Sequence, residues 1–114
     1  MNYWLKGSGK MSITILKDEN FEEMNKSAKA VVDFSASWCG PCKMLAPVFD
    51  SVSEKVKNID FYKVDVDEAE QSAANFSVMS IPTIIFFENG EEKGRVSGYM
   101  AENQLIEEIK KMLR

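Results

Sequence analysis

Apolar positions along this chain follow two rhythms that alternate from Ile13 onward. Ile13-Thr14-Ile15-Leu16 is a short β-type run that predicts a strand. Asp18 is then placed to cap a first helix carrying Phe21 and Met24 on one face. Ala30-Val31-Val32-Asp33-Phe34 is nearly continuous in apolar character, as expected of a central strand covered on both faces. From Leu45 the spacing becomes helical, through Val48, Phe49, Val52 and Val56. Pro47 lies inside that run, removes a backbone donor and predicts a kink.

The second half repeats the alternation. Ile59 to Val66 predicts a third strand, and Asp67 is placed to cap a helix running through Phe76. Thr83 to Phe87 predicts a fourth strand. Asn89-Gly90 supplies the left-handed backbone of a tight hairpin, with a fifth strand near Lys93–Ser97. Leu105, Ile106, Ile109, Met112 and Leu113 define a last amphipathic helix, its glutamates early and its lysines late, as the helix dipole favours. The order β-α-β-α-β-α-β-β-α implies an α/β fold. Strands separated by helices should pair in parallel through right-handed crossovers, and the hairpin should add an antiparallel pair. Neither repeats nor low-complexity tracts interrupt the pattern, so residues 12–114 are expected to form one domain. Residues 1–11, with Gly7-Ser8-Gly9-Lys10 ahead of a second possible start at Met11, read as a flexible leader or upstream extension.

Composition narrows the function. The 114 residues, 45% hydrophobic and 28% charged, suit a globular domain with its own core. Nothing in the pattern is apolar over a bilayer's length, and the first residues lack the marks of a secretory signal, so a cytoplasmic protein without a membrane partner is expected. A net charge of −4 with scattered basic residues argues against nucleic acid as a partner.

Two cysteines, Cys39 and Cys42, and no histidine then limit the chemistry. Without histidine there is no Cys–His nucleophile pair and no imidazole metal ligand. The pair sits where the central strand gives way to the Pro47 helix, and Pro41 fits a first helical turn. Cys39 is thus expected among unpaired backbone donors at the positive end of the dipole, which favours thiolate over thiol. The gain matters because a free thiol with a pKa of about 8.5 is only a few per cent ionised at neutral pH. Three other readings are open. A structural disulfide over so short a loop stabilises little. A metal half-site lacks two of the usual four ligands. Two inert core cysteines would make the spacing a coincidence. A Cys-x-x-Cys inside a βαβ pattern favours redox chemistry.

Val32-Asp33-Phe34-Ser35-Ala36-Ser37-Trp38-Cys39-Gly40-Pro41-Cys42-Lys43 closely resembles the active-site segment of thioredoxins. The match continues through Pro47, Lys63-Val64-Asp65-Val66-Asp67, Ile81-Pro82-Thr83, Asn89-Gly90 and Gly98. The resemblance implies the thioredoxin fold, with a mixed five-stranded sheet flanked by four helices. It also implies protein-disulfide reduction, with Cys39 as nucleophile, Cys42 as resolving thiol and Asp33 assisting deprotonation of Cys42. Gly40, Pro41 and Lys63 would tune the redox pair. Trp38, Met79, Ile81 and Pro82 would meet substrate. From the residues alone Pro82 favours a trans bond; the resemblance implies cis. Ser35 stands where many bacterial thioredoxins carry a second tryptophan. No cofactor is expected to be bound. Electrons would come from NADPH or ferredoxin through a thioredoxin reductase. Clients would resemble ribonucleotide reductase, peroxiredoxin or methionine sulfoxide reductase, and the chain would act as a monomer. A non-catalytic role as a binding subunit is the alternative from another class.

Overall fold

The computed structural model describes residues 13–114, so the leader expected over 1–11 lies outside the described residues. Strand β1 (Ile13–Leu16) is followed by a 3-10 helix (Asp18–Lys26), β2 (Lys29–Ser35) and α1 (Gly40–Lys55). Then come β3 (Asp60–Asp65), α2 (Glu70–Asn75), β4 (Thr83–Glu88), β5 (Glu91–Ser97) and α3 (Glu102–Met112). The element order is the expected one, although the first helix is of the tighter 3-10 kind. α1 runs from Gly40 to Lys55 with Pro47 inside it.

The sheet order is β1-β3-β2-β4-β5. β3 pairs in parallel with both β1 and β2, while β4 is antiparallel to β2 as well as to β5. This corrects the expectation that every helix-linked strand would be parallel. α2 has six residues, about 9 Å of rise, against roughly 20 Å for the six-residue β3. The chain therefore does not return to the far end of the sheet. Thr83 begins β4 beside Phe34, where β2 is ending, and this brings Pro82 to the cysteine end of the sheet.

Strand alternation divides the core into two layers. Val31, Phe61, Ile84 and Phe86 pack with Leu45, Phe49 and Val52 of α1 and Leu105 and Ile109 of α3. Val32, Phe34, Val64, Ile85 and Phe87 pack on the other face with Leu16, Met24 and Ala69. Asp33 follows the parity of Val31, so its carboxylate faces the α1 layer. The hairpin at Asn89-Gly90 forms as expected, with φ of +51° and +83°.

Neither predicted aspartate cap forms. Asp18 is the first residue of its own 3-10 helix, behind Lys17, and its carboxylate turns to α2 instead. It accepts from the backbone N–H of Gln71 (3.3 Å) and from the N–H (2.8 Å) and hydroxyl (2.7 Å) of Ser72. Ala69, at the N-cap of α2, has no side chain that could do this. Asp67 falls inside a turn where the N–H groups of Glu68 and Ala69 both reach the carbonyl of Asp65, so α2 begins only at Glu70.

Candidate active site

Cys39 is the N-cap of α1, with extended backbone (φ −91°, ψ 119°), and its Sγ accepts the N–H of Cys42 at 3.3 Å. A sulfur thus takes the place usually held by a capping oxygen, beside donors that the first turn leaves unpaired. Pro41 occupies that turn without sacrificing a hydrogen bond. A Cβ at Gly40 would meet nothing within 4 Å, so glycine here relieves no clash. Both cysteines are free thiols, 7% and 4% exposed, packed with Ala36 and flanked by Val66 and Ile81.

The opposite wall comes from the start of β4. The Ile81 carbonyl lies 3.9 Å from Cys39 Sγ, and the Ile81–Pro82 bond is cis, as the resemblance implied and the residues alone did not. Met79 is 92% exposed, Ile81 half-buried and Pro82 buried. Trp38 is 67% exposed and fixed in place, its indole N–H donating to the Asp67 carboxylate at 2.7 Å. Asp67 is the residue that sequence reasoning assigned elsewhere. The signal was available in the parallel register: Ser35 pairs with Asp65 and accepts the N–H of Val66, so the segments after β2 and β3 leave the sheet side by side.

Beneath the thiols lies Asp33. It is fully buried, and neither carboxylate oxygen has a hydrogen-bond partner among the described residues. Burial pushes its pKa up to about 7, with the Lys63 charge opposing and Asp50 adding to the rise. Lys63 is its register partner on β3 and is only half-buried. The Cys42 thiol is pushed up to about 11, by burial first and by its hydrogen bond with Cys39 second. A backbone hydrogen bond with Ala36 pulls the other way, while the charges of Cys39 and Asp33 add to the rise. A cleft of about 340 Å³, lined by Ser35, Cys42, Lys43, Lys63, Asp65 and Glu68 among others, opens beside Cys42 and Lys63.

The arrangement supplies a thiol at a helix mouth, a second thiol one turn along that holds its proton tightly, and a buried carboxyl poised between its two states near neutral pH. A family model described as Thioredoxin matches residues 12–111. The chain belongs to the thioredoxin family. It is 44% identical over 104 residues to the thioredoxin of Staphylococcus haemolyticus, which covers 90% of this chain and all of that one. It is 42% identical to that of Mycoplasmoides gallisepticum, over 82% of this chain and 94% of the relative. The crystal structure of Malassezia sympodialis thioredoxin (Mala s 13) superimposes with a TM-score of 0.79 at 34% identity, covering 94% of this chain and 92% of that one. Thioredoxins are thiol–disulfide oxidoreductases without a prosthetic group, and this chain is one of them. Among the described residues no helix is long and apolar enough to cross a membrane.

Proposed function

We propose that residues 12–114 form the working domain of a general protein-disulfide reductase in which Cys39 attacks, Cys42 resolves and Asp33 takes the proton of Cys42. One observation carries the reading: Cys39 Sγ caps α1 while accepting the backbone N–H of Cys42, the second cysteine of the pair. In the first step the Cys39 thiolate attacks one sulfur of a client disulfide. The client S–S bond breaks, its other sulfur leaves as thiolate, and a mixed disulfide remains. In the second step Cys42 gives its proton to Asp33 and attacks Cys39 Sγ, forming the Cys39–Cys42 disulfide and expelling the second client thiolate. Two electrons pass from the dithiol to the client.

Gly40 and Pro41 tune the redox pair, and Lys63 holds the Asp33 pKa below where burial alone would set it. Trp38, Met79, Ile81 and Pro82 receive the client, Ile81 through its backbone. The oxidised pair returns to the dithiol through a thioredoxin reductase drawing on NADPH or ferredoxin. Oxidised ribonucleotide reductase, peroxiredoxin and methionine sulfoxide reductase are the client classes proposed. A reducing dithiol belongs where thiols are kept reduced, so we place this monomer in the cytoplasm.

The test is a trapping experiment. Cys42→Ser should accumulate a mixed disulfide on Cys39 with a protein client, and Cys39→Ser should accumulate none. Equilibration of the wild-type pair with dithiothreitol should give a potential near the −270 mV or so known for thioredoxin itself. A potential near about −120 mV would mark an oxidant instead. Full biological activity in the double serine variant would favour a binding subunit.

A further inference from the structure

The exposed large apolar side chains of the described residues include Trp38, Met79 and Tyr99. Trp38 precedes Cys39 and Met79 precedes Ile81 by two, but Tyr99 comes from a separate part of the chain. The backbone just before it is nonetheless tied to the start of β4, next to Ile81. The N–H of Gly98 donates to the carbonyl of Pro82 at 2.8 Å. Ser97 pairs with Thr83, their hydroxyls 3.0 Å apart. Met100, on the far side, is buried in the α1 and α3 core. Tyr99 is therefore held between two anchored neighbours, one of them bonded to the proline that follows Ile81.

The local backbone keeps this side of the site open. Gly98 has φ +91°, and a Cβ there would meet nothing within 4 Å. Tyr99 itself is 45% exposed, and its hydroxyl makes no hydrogen bond among the described residues. A tyrosine of this kind offers a large apolar face and one polar tip at little cost in side-chain entropy.

We propose that Tyr99 is a specificity-determining residue of this reductase, selecting clients with an apolar side chain next to the attacked cysteine. The ring covers that side chain, and the hydroxyl donates to a backbone carbonyl of the extended client segment. The inference rests on the reading of Cys39 as nucleophile, and names the clients which that site prefers.

Two disulfide-linked peptides, identical except for Leu or Ser beside the cysteine, test it in single-turnover reduction by the pre-reduced full chain. The wild type should prefer the Leu peptide about 10-fold in kcat/KM, through KM, the size expected of one buried apolar contact. Tyr99→Ala should bring the ratio to near one. Tyr99→Phe should keep the ratio and raise KM for both peptides roughly threefold, since only the hydroxyl is lost. Absence of a Leu preference in the wild type, or its survival in Tyr99→Ala, overturns the inference. A small aromatic disulfide separates the two readings. If the wild type cannot reduce it, the reading of Cys39 has failed. If the wild type reduces it and the peptide ratio ignores Tyr99, only the role of Tyr99 has failed.

Discussion

Asp33 of β2 and Lys63 of β3 are register partners across a parallel strand pair, so a buried carboxyl with no hydrogen-bond partner among the described residues stands beside a half-exposed cation. Their relation makes Asp33 a responsive group. Burial raises its pKa and Lys63 restrains the rise, leaving it at about 7. A carboxyl held much higher would stay protonated and could accept nothing from Cys42. One held at its ordinary value would be too weak a base to draw a proton from a thiol at about 11.

The same group makes stability depend on pH. In the unfolded chain Asp33 titrates near about 3.9, and in the folded chain at about 7. Between those values the folded state binds the extra proton, so the stabilising contribution is complete below pH 4 or so and is lost as pH rises through 7. The full difference is about 4 kcal/mol for a buried carboxyl displaced this far. Asp33→Asn cannot ionise. Its urea midpoint should exceed that of the wild type at pH 8, and the advantage should vanish toward pH 4. Equal differences at both pH values would refute the assignment.

Catalysis should change in the opposite sense. Resolution of a mixed disulfide in the wild type should quicken as pH rises through 7, because Asp33 in its proposed role can accept the Cys42 proton only when ionised. Asp33→Asn should lose that inflection and slow the step at pH 7 by about 10-fold or more, as expected when a positioned general base is removed. Lys63→Met removes the charge that lowers the Asp33 pKa, so its inflection should move to higher pH. Stopped-flow decay of a mixed disulfide built on Cys39 measures both variants. An inflection unmoved by Lys63→Met would detach the lysine from the mechanism.

Much of this arrangement was legible beforehand because it is written in local patterns. The apolar run of β2, the helical spacing after Cys42 and the Asn89-Gly90 turn each depend on neighbours in sequence. What escaped the local patterns were several relations made across the fold. Asp18 and Asp67 each stand before a helix, and a capping rule gives them to that helix. The turn at Asp65 displaces Asp67 toward Trp38, and Asp18 reaches α2 across more than fifty residues. The antiparallel direction of β4 was hidden for a related reason, since it depends on how far a short helix can carry the chain.

The Asp18 clamp has its own pH signature. Three hydrogen bonds from Ser72 and Gln71 hold its carboxylate below the usual range, led by the Ser72 side chain. A depressed folded pKa stabilises above the unfolded value and stops doing so as pH falls through the folded one. Asp18→Ala should therefore lower Tm by a few degrees at pH 7, the size of a lost helix cap, and by less at pH 2. Differential scanning calorimetry at the two pH values checks it. A deficit that persists undiminished in acid would assign the effect to packing and not to charge.

Trp38 and Asp67 give the most local prediction about clients. The indole is two-thirds exposed and has a single anchor among the described residues, the 2.7 Å bond from its N–H to Asp67. An exposed indole left free would sample several rotamers, and client binding would then have to order it. Asp67→Ala removes the anchor and touches neither cysteine. A hydrogen bond to a carboxylate at a partly wet site is worth about 1 kcal/mol, or roughly fivefold in binding. KM for a protein disulfide should rise by that factor with kcat held, and the Trp38 indole N–H should exchange faster with solvent by NMR. Faster exchange with an unchanged KM would mean that the indole is anchored for stability alone. A fall in kcat would instead mean that Asp67 acts on the thiols, through a path the 2.7 Å contact does not provide.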